Sequence, residues 1–131
     1  CRVTVCARTP EKAAALAARC GGVTVSWEDL PRAAAEHGLL LNATPLGMEG
    51  SPEFESLDFV QALPTKAVVY DLVYHPTDTA LLRAAGSREL TAVGGLALLV
   101  QQAALAFAHF TGIVPDAALC RNILQELEAA Q

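Results

Sequence analysis

Apolar residues fall in two alternating patterns: short runs bounded by polar turns, and longer stretches where they recur every three or four positions. The first pattern reads as strands, the second as amphipathic helices. Val3–Cys6 is a first strand, followed by a helix with Thr9 as N-cap and Pro10 at its first position, ending at Gly21-Gly22. Val23–Val25 is a second strand, and Ser26, with Asp29 three residues on, is placed to cap a helix that ends at Gly38. Leu39–Leu41 reads as a buried parallel strand that stops at the polar loop Asn42-Ala43-Thr44-Pro45-Leu46-Gly47-Met48. A short helix is expected over Leu57–Leu63, a fourth strand over Ala67–Tyr74, and a helix from Thr79 to Ala85 capped by Thr77 or Asp78. Leu90–Val93 is a fifth strand entering Gly94-Gly95. From Leu96 a helical stripe runs through Leu99, Val100, Ala103, Phe107 and Phe110 to Gly112. Pro115 then opens a last helix with Leu119, Ile123, Leu124 and Leu127 on one face.

Strands alternating with helices at this spacing predict an α/β fold, a Rossmann-like doubly wound parallel sheet. The 131 residues suit one domain, 1–131. Such a fold opens with a strand, a Gly-rich phosphate turn and a helix, yet no GxGxxG occurs here. Cys1 stands at the brink of what looks like the second strand, so the sheet is expected to be incomplete at its N-terminal strand. The chain is then an excerpt of a longer polypeptide. In the order 3-2-1-4-5-6 the absent strand would lie between those at Val3 and Leu39, leaving the excerpt inactive by itself.

Composition narrows the partners. A net charge of −5 with 5% aromatic residues leaves no basic, stacking surface for nucleic acid. The most apolar stretch, Leu96–Phe110, is too short to span a membrane and is broken by Gln101, Gln102 and His109. With no signal peptide before the first strand, a cytoplasmic setting is expected. Cys1, Cys6, Cys20 and Cys120 show no metal-binding spacing, so no metal is expected and the thiols read as reduced. Residues 1–20 carry a local charge of +3 against −8 for the rest, which suits a single anionic ligand better than a polyanion.

In open α/β sheets ligands meet the loops at the carboxyl ends of the strands. The first strand delivers Ala7-Arg8-Thr9, with Lys12 one turn into the helix: a guanidinium fork, a hydroxyl, an ammonium and a helix N-terminus in one place. An acidic residue there accepts the ribose of NAD, whereas this basic set favours the extra phosphate of NADP. Asn42 and Thr44 are polar side chains at a strand end, or members of an Asx-type turn. Gly94-Gly95 allows the close approach of a flat nicotinamide, or is a tight strand-to-helix turn. Gln102 and Tyr74 can hydrogen-bond a polyol, or lie on the surface.

Taken together, Ala-Arg-Thr-x-x-Lys at 7–12, Asn-Ala-Thr-Pro-Leu-Gly-Met at 42–48, Tyr-Asp-Leu-Val-Tyr-His-Pro at 70–76 and Gly-Leu-Ala-Leu-Leu-Val-Gln-Gln-Ala-Ala at 95–104 resemble the shikimate dehydrogenase family, in order and spacing, across essentially the whole chain. The resemblance implies an NADP-dependent reduction of 3-dehydroshikimate to shikimate, in aromatic amino-acid and chorismate biosynthesis, with this chain as the cofactor-binding lobe. It implies that Ala7, Arg8, Thr9, Pro10, Glu11 and Lys12 embrace the 2′-phosphate, with Asn42 and Thr44 also on the cofactor. Leu72, Gly95 and Leu98 border the nicotinamide, while Tyr74 and Gln102 contact the substrate. The family's catalytic Lys and Asp belong to a preceding substrate lobe, so no residue here inherits a catalytic role. Ala7 departs from the family's usual Asn, Ala97-Leu98 from its Gly-Met, and Gly94 from a polar residue. Two rival readings remain: a quinate/shikimate dehydrogenase with relaxed cofactor choice, and a non-catalytic Rossmann-like binding module.

Overall fold

In the computed structural model, which describes residues 1–130, strand and helix alternate as β1 (Thr4–Val5), α1 (Pro10–Cys20), β2 (Val23–Thr24), α2 (Leu30–Ala34), β3 (Leu39–Asn42), α3 (Asp58–Ala62), β4 (Val68–Asp71), α4 (Ala80–Gly86) and β5 (Thr91–Val93), before two longer helices, α5 (Gly95–Thr111) and α6 (Ala117–Ala129). All strand pairs are parallel, the pairing that βα crossovers produce. They form two ladders, β1-β2 and β3-β4-β5, rather than one sheet. Thr4 pairs with Val23 in the first; in the second Leu39 pairs with Val68, Asn42 with Asp71, and Tyr70 with Val93. A groove of about 140 Å³ separates β1 from β3, lined by Thr4 and Cys6 on one side and by Leu39, Leu41, Asn42 and Thr44 on the other. The ladders are tied by the Thr4 hydroxyl against His37 Nε2 (3.1 Å) and by an Arg2–Glu36 ion pair (2.9 Å).

The core lies on one face of β3-β4-β5, where α2, α3 and α4 bring Ala34, Phe59, Val60, Leu81 and Ala85 onto Val69. Side chains alternate across a strand, so Leu40 packs on this core while Leu39 and Leu41 point the other way. They stay 57% and 52% exposed, which corrects the expectation of a strand buried on both faces. Arg88 donates from Nη1 to the carbonyls of Val60 (2.6 Å) and Leu63 (2.8 Å), supplying a cation to the C-terminus of α3, where the Val60 carbonyl also accepts from the Leu63 amide (3.3 Å).

Several element ends differ from the sequence reading. Thr9 has the extended backbone of an N-cap, but its hydroxyl makes no capping bond. Ser26 bonds Asp29 one turn early, accepting from its amide (3.2 Å) and donating to its carboxylate (3.2 Å). The helix itself starts at Leu30 because Pro31 fits only the first turn. Thr79, not Thr77 or Asp78, caps α4 by accepting from the Leu82 amide. β4 ends at Asp71, so Leu72, Val73 and Tyr74 are loop. The apolar stripe of α5 is buried only at its start, through Gly95, Leu96 and Val100; Phe107 and Phe110 are exposed, as are Leu119, Ile123 and Leu127 of α6. Among the described residues no helix is long and apolar enough to cross a membrane, and no His, Cys, Asp and Glu cluster is placed to hold a metal ion.

Candidate functional site

The carboxyl ends of β3, β4 and β5 converge, and one buried carboxylate joins the first two. Asp71, the last residue of β4, is fully buried. Its Oδ1 accepts from Asn42 Nδ2 (2.8 Å) and the Val73 amide (3.1 Å), and its Oδ2 accepts from the Thr79 hydroxyl (2.7 Å). Asn42 Nδ2 also donates to the Leu46 carbonyl (3.2 Å), while its Oδ1 accepts from the Thr44 amide (3.0 Å) and hydroxyl (2.7 Å). All four hydrogen-bonding positions of that amide are thereby used. The Asx-turn alternative describes Asn42 correctly: it shapes the loop from within instead of offering an unpaired amide to a ligand. Thr44 keeps one lone pair after donating to Asn42 and accepting from the Leu46 amide (3.2 Å).

The start of α5 seals the same rim. The Gly95 amide donates to the Val73 carbonyl (3.1 Å), and a Cβ at Gly95 would lie 2.2 Å from the Leu72 carbonyl oxygen. Glycine is therefore required by the Leu72–Val73 backbone, which favours the tight-turn alternative. Leu72 is half-buried beside it, and Leu98 one turn on is exposed. Tyr74 is 48% exposed beyond the strand end, and Gln102 is exposed, its Nε2 donating back to the Leu99 carbonyl (3.1 Å). The acidic loop after Gly47 is strapped to this rim by a Glu49–His75 ion pair and by the Glu49 amide donating to the His75 carbonyl (3.1 Å).

Ala7–Lys12 stands on the other ladder, where β1 feeds α1. Arg8, Glu11 and Lys12 are exposed, and the Arg8 and Lys12 side chains have no ion-pair or hydrogen-bond partner among the described residues. Thr9 keeps its hydroxyl free of capping, Pro10 opens the helix, and the Lys12 and Ala13 amides both donate to the Thr9 carbonyl (3.1 Å each), which leaves the Glu11 amide, among the described residues, as the unbonded donor of the first turn. Two unpaired cations, a hydroxyl and a helix N-terminus form a donor set suited to a phosphate. Next to it, burial pushes the half-buried Cys6 thiol above its ordinary pKa. Because the thiolate is the nucleophile, alkylation at neutral pH is expected to modify exposed Cys1 and Cys20 first, with Cys6 and buried Cys120 several-fold slower; peptide mass mapping over time checks that order.

Hydrogen bonds and close contacts bring Asn42, Thr44, Leu72 and Gly95 to one rim, with Tyr74 two residues beyond Leu72; Leu98 and Gln102 lie further along α5, and Ala7–Lys12 follows Cys6, which lines the groove together with Asn42 and Thr44. Sequence reasoning missed Asp71 and Thr79. The available signal was a charged residue inside the apolar run Val68-Val69-Tyr70-Asp71-Leu72-Val73, a placement that burial makes costly unless every oxygen is bonded.

The family model described as Shikimate 5'-dehydrogenase C-terminal domain matches residues 95–125. A shikimate dehydrogenase (NADP(+)) of Acidiphilium cryptum is 46% identical over 127 residues, covering 95% of this chain and 45% of the relative. Among solved structures, shikimate 5-dehydrogenase from Thermus thermophilus, in complex with NADP(H) and shikimate, superimposes with a TM-score of 0.77 at 36% identity, over 95% of this chain and 46% of that one. Quinate dehydrogenase from Corynebacterium glutamicum, in complex with NAD, gives 0.80 at 29% identity, over 95% and 46%. The chain spans a little under half the length of the relatives it matches.

Proposed function

The chain belongs to the shikimate dehydrogenase family, and on that premise we propose that residues 1–131 are part of the NADP-binding Rossmann-like domain of an enzyme interconverting 3-dehydroshikimate and shikimate. The observation that carries the cofactor assignment is the unpartnered Arg8 and Lys12 beside Thr9 at the start of α1. These residues hold the 2′-phosphate, with Ala7, Pro10 and Glu11 shaping the turn. Asn42 and Thr44 fix the loop along the cofactor, and Leu72, Gly95 and Leu98 give the nicotinamide an apolar seat.

When bound, NADPH supplies the hydride. The chain's own contribution is positional: a rigid rim holds one face of the reacting pair in near-attack geometry. Tyr74 and Gln102 extend from that rim toward the substrate and hydrogen-bond its hydroxyls. Proton transfer falls to a substrate lobe that contributes the other side of the cleft.

The test is a chimera in which this chain replaces the matching portion of the Acidiphilium cryptum relative. Shikimate-dependent reduction of NADP+ is expected, with quinate and NAD+ poor substitutes. Equal use of quinate and NAD+ would favour the quinate/shikimate alternative, and a chimera that binds NADP+ without turnover would favour the binding module. In the active chimera, Gln102→Ala is expected to raise KM for shikimate by up to about tenfold, the upper range for one hydrogen bond, without changing NADP+ affinity. An unchanged kcat/KM for shikimate would return Gln102 to the surface.

A further inference from the structure

We propose that Asp71 is a positioning residue whose carboxylate locks the loops after β3 and β4 into one rigid rim, and so sets the geometry in which Asn42, Thr44 and Leu72 meet the nicotinamide cofactor; this rests on the NADP reading above. Asp71 acts only as an acceptor: Asn42 and Val73 donate to one oxygen and Thr79 to the other. Thr79 relays the connection into α4 by accepting from the Leu82 amide, and Asn42 relays it outward to Thr44 and Leu46. The line of bonds is continuous from the start of α4 to the tip of the β3 loop. Because Gly95 is seated on Leu72 and Val73, the start of α5 inherits the same placement.

An apolar residue at this fully buried strand end would fill the volume without the penalty of burying a charge. What it cannot do is fix the directions of three donors from two separate loops. Asn42 and Asp71 also pair in the last register position of β3 and β4, so their side-chain bond continues the ladder where the backbone leaves it. The carboxylate is therefore best suited to holding the two loops at one mutual distance, the distance a cofactor lying across both must find.

The experiment places Asp71→Asn, Thr79→Val and Thr79→Ser in the chimera described above, measuring amide hydrogen exchange, melting temperature and NADP+ dissociation constant for each. Asp71→Asn is expected to speed exchange at residues 42–48 and 72–79 together, and to weaken NADP+ about tenfold, with Val69 in the core unaffected. Thr79→Val, which leaves the carboxylate in place, should do the same to a smaller extent, and Thr79→Ser should restore both readouts. A lowered melting temperature with loop 42–48 exchange and NADP+ affinity unchanged would overturn the proposal, reducing Asp71 to packing. If Asp71→Asn fails to fold, the Thr79 pair decides. If the unsubstituted chimera fails to bind NADP+, the functional reading falls, while the exchange measurements, which need no cofactor, still judge the clamp.

Discussion

Gly95→Ala is expected to destabilise the chain by about 3 kcal/mol or more, at the upper end of the range for overpacking a tight site. The added Cβ would stand 2.2 Å from the Leu72 carbonyl oxygen, 2.5 Å from its carbon and 2.7 Å from the Val73 carbonyl oxygen. All three are backbone atoms, so no rotamer change relieves the clash. Moving α5 away would break the bond from the Gly95 amide to Val73 that fixes the helix start. Against a typical stability of ~5–15 kcal/mol this is a large fraction, and the melting temperature should fall by roughly 10 °C. Gly94→Ala is the control: its nearest contact is the flexible Leu82 Cδ1 at 3.4 Å, so its melting temperature should stay within a few degrees of the parent. Thermal unfolding followed by circular dichroism compares the two, and an unchanged melting temperature for Gly95→Ala would contradict the described approach of the two loops.

Arg8→Ala is expected to weaken NADPH about tenfold and NADH by much less. A hydrogen bond to a charged group contributes roughly 1.5–3 kcal/mol, and the exposure of Arg8 places the effect at the lower end. Only NADPH carries the phosphate that the guanidinium is proposed to meet. Salt separates this from loss of fold: raising ionic strength should narrow the gap between parent and variant for NADPH and leave NADH affinities nearly constant. Equal losses for both cofactors in an equilibrium titration would remove Arg8 from the phosphate site.

Local patterns made the alternation of strand and helix legible, since the period of apolar residues and glycines such as Gly21 and Gly112, both left-handed, act within a few residues of the structure they set. The basic turn at Ala7–Lys12 was legible for the same reason. The rim was not, because distant partners decide it. Nothing in Leu72-Val73-Tyr74 marks the end of a strand; β4 stops because its partner β3 ends at Asn42. The sequence placed Thr79 inside the helix and the cap at Thr77 or Asp78; it is Asp71, distant in sequence, that holds the Thr79 hydroxyl at the helix start. Gly95 read as a ligand approach or, the better reading for the glycines alone, as a tight turn, and only the position of Leu72 separates the two. The α5 stripe illustrates the converse: its periodicity predicted helix correctly, yet periodicity does not say what covers Phe107 and Phe110.

We propose that the turn at the start of α1 and the rim at β3, β4 and β5 hold one NADP molecule between them. Backbone amide NMR on the chimera titrated with NADP+ is the deciding measurement. Saturable shifts are expected at residues 8–12, 42–46, 72–74 and 95–98, with NAD+ reproducing the rim shifts while leaving those at 8–12 much smaller. Shifts confined to one ladder, or identical shifts at 8–12 for both cofactors, would contradict it.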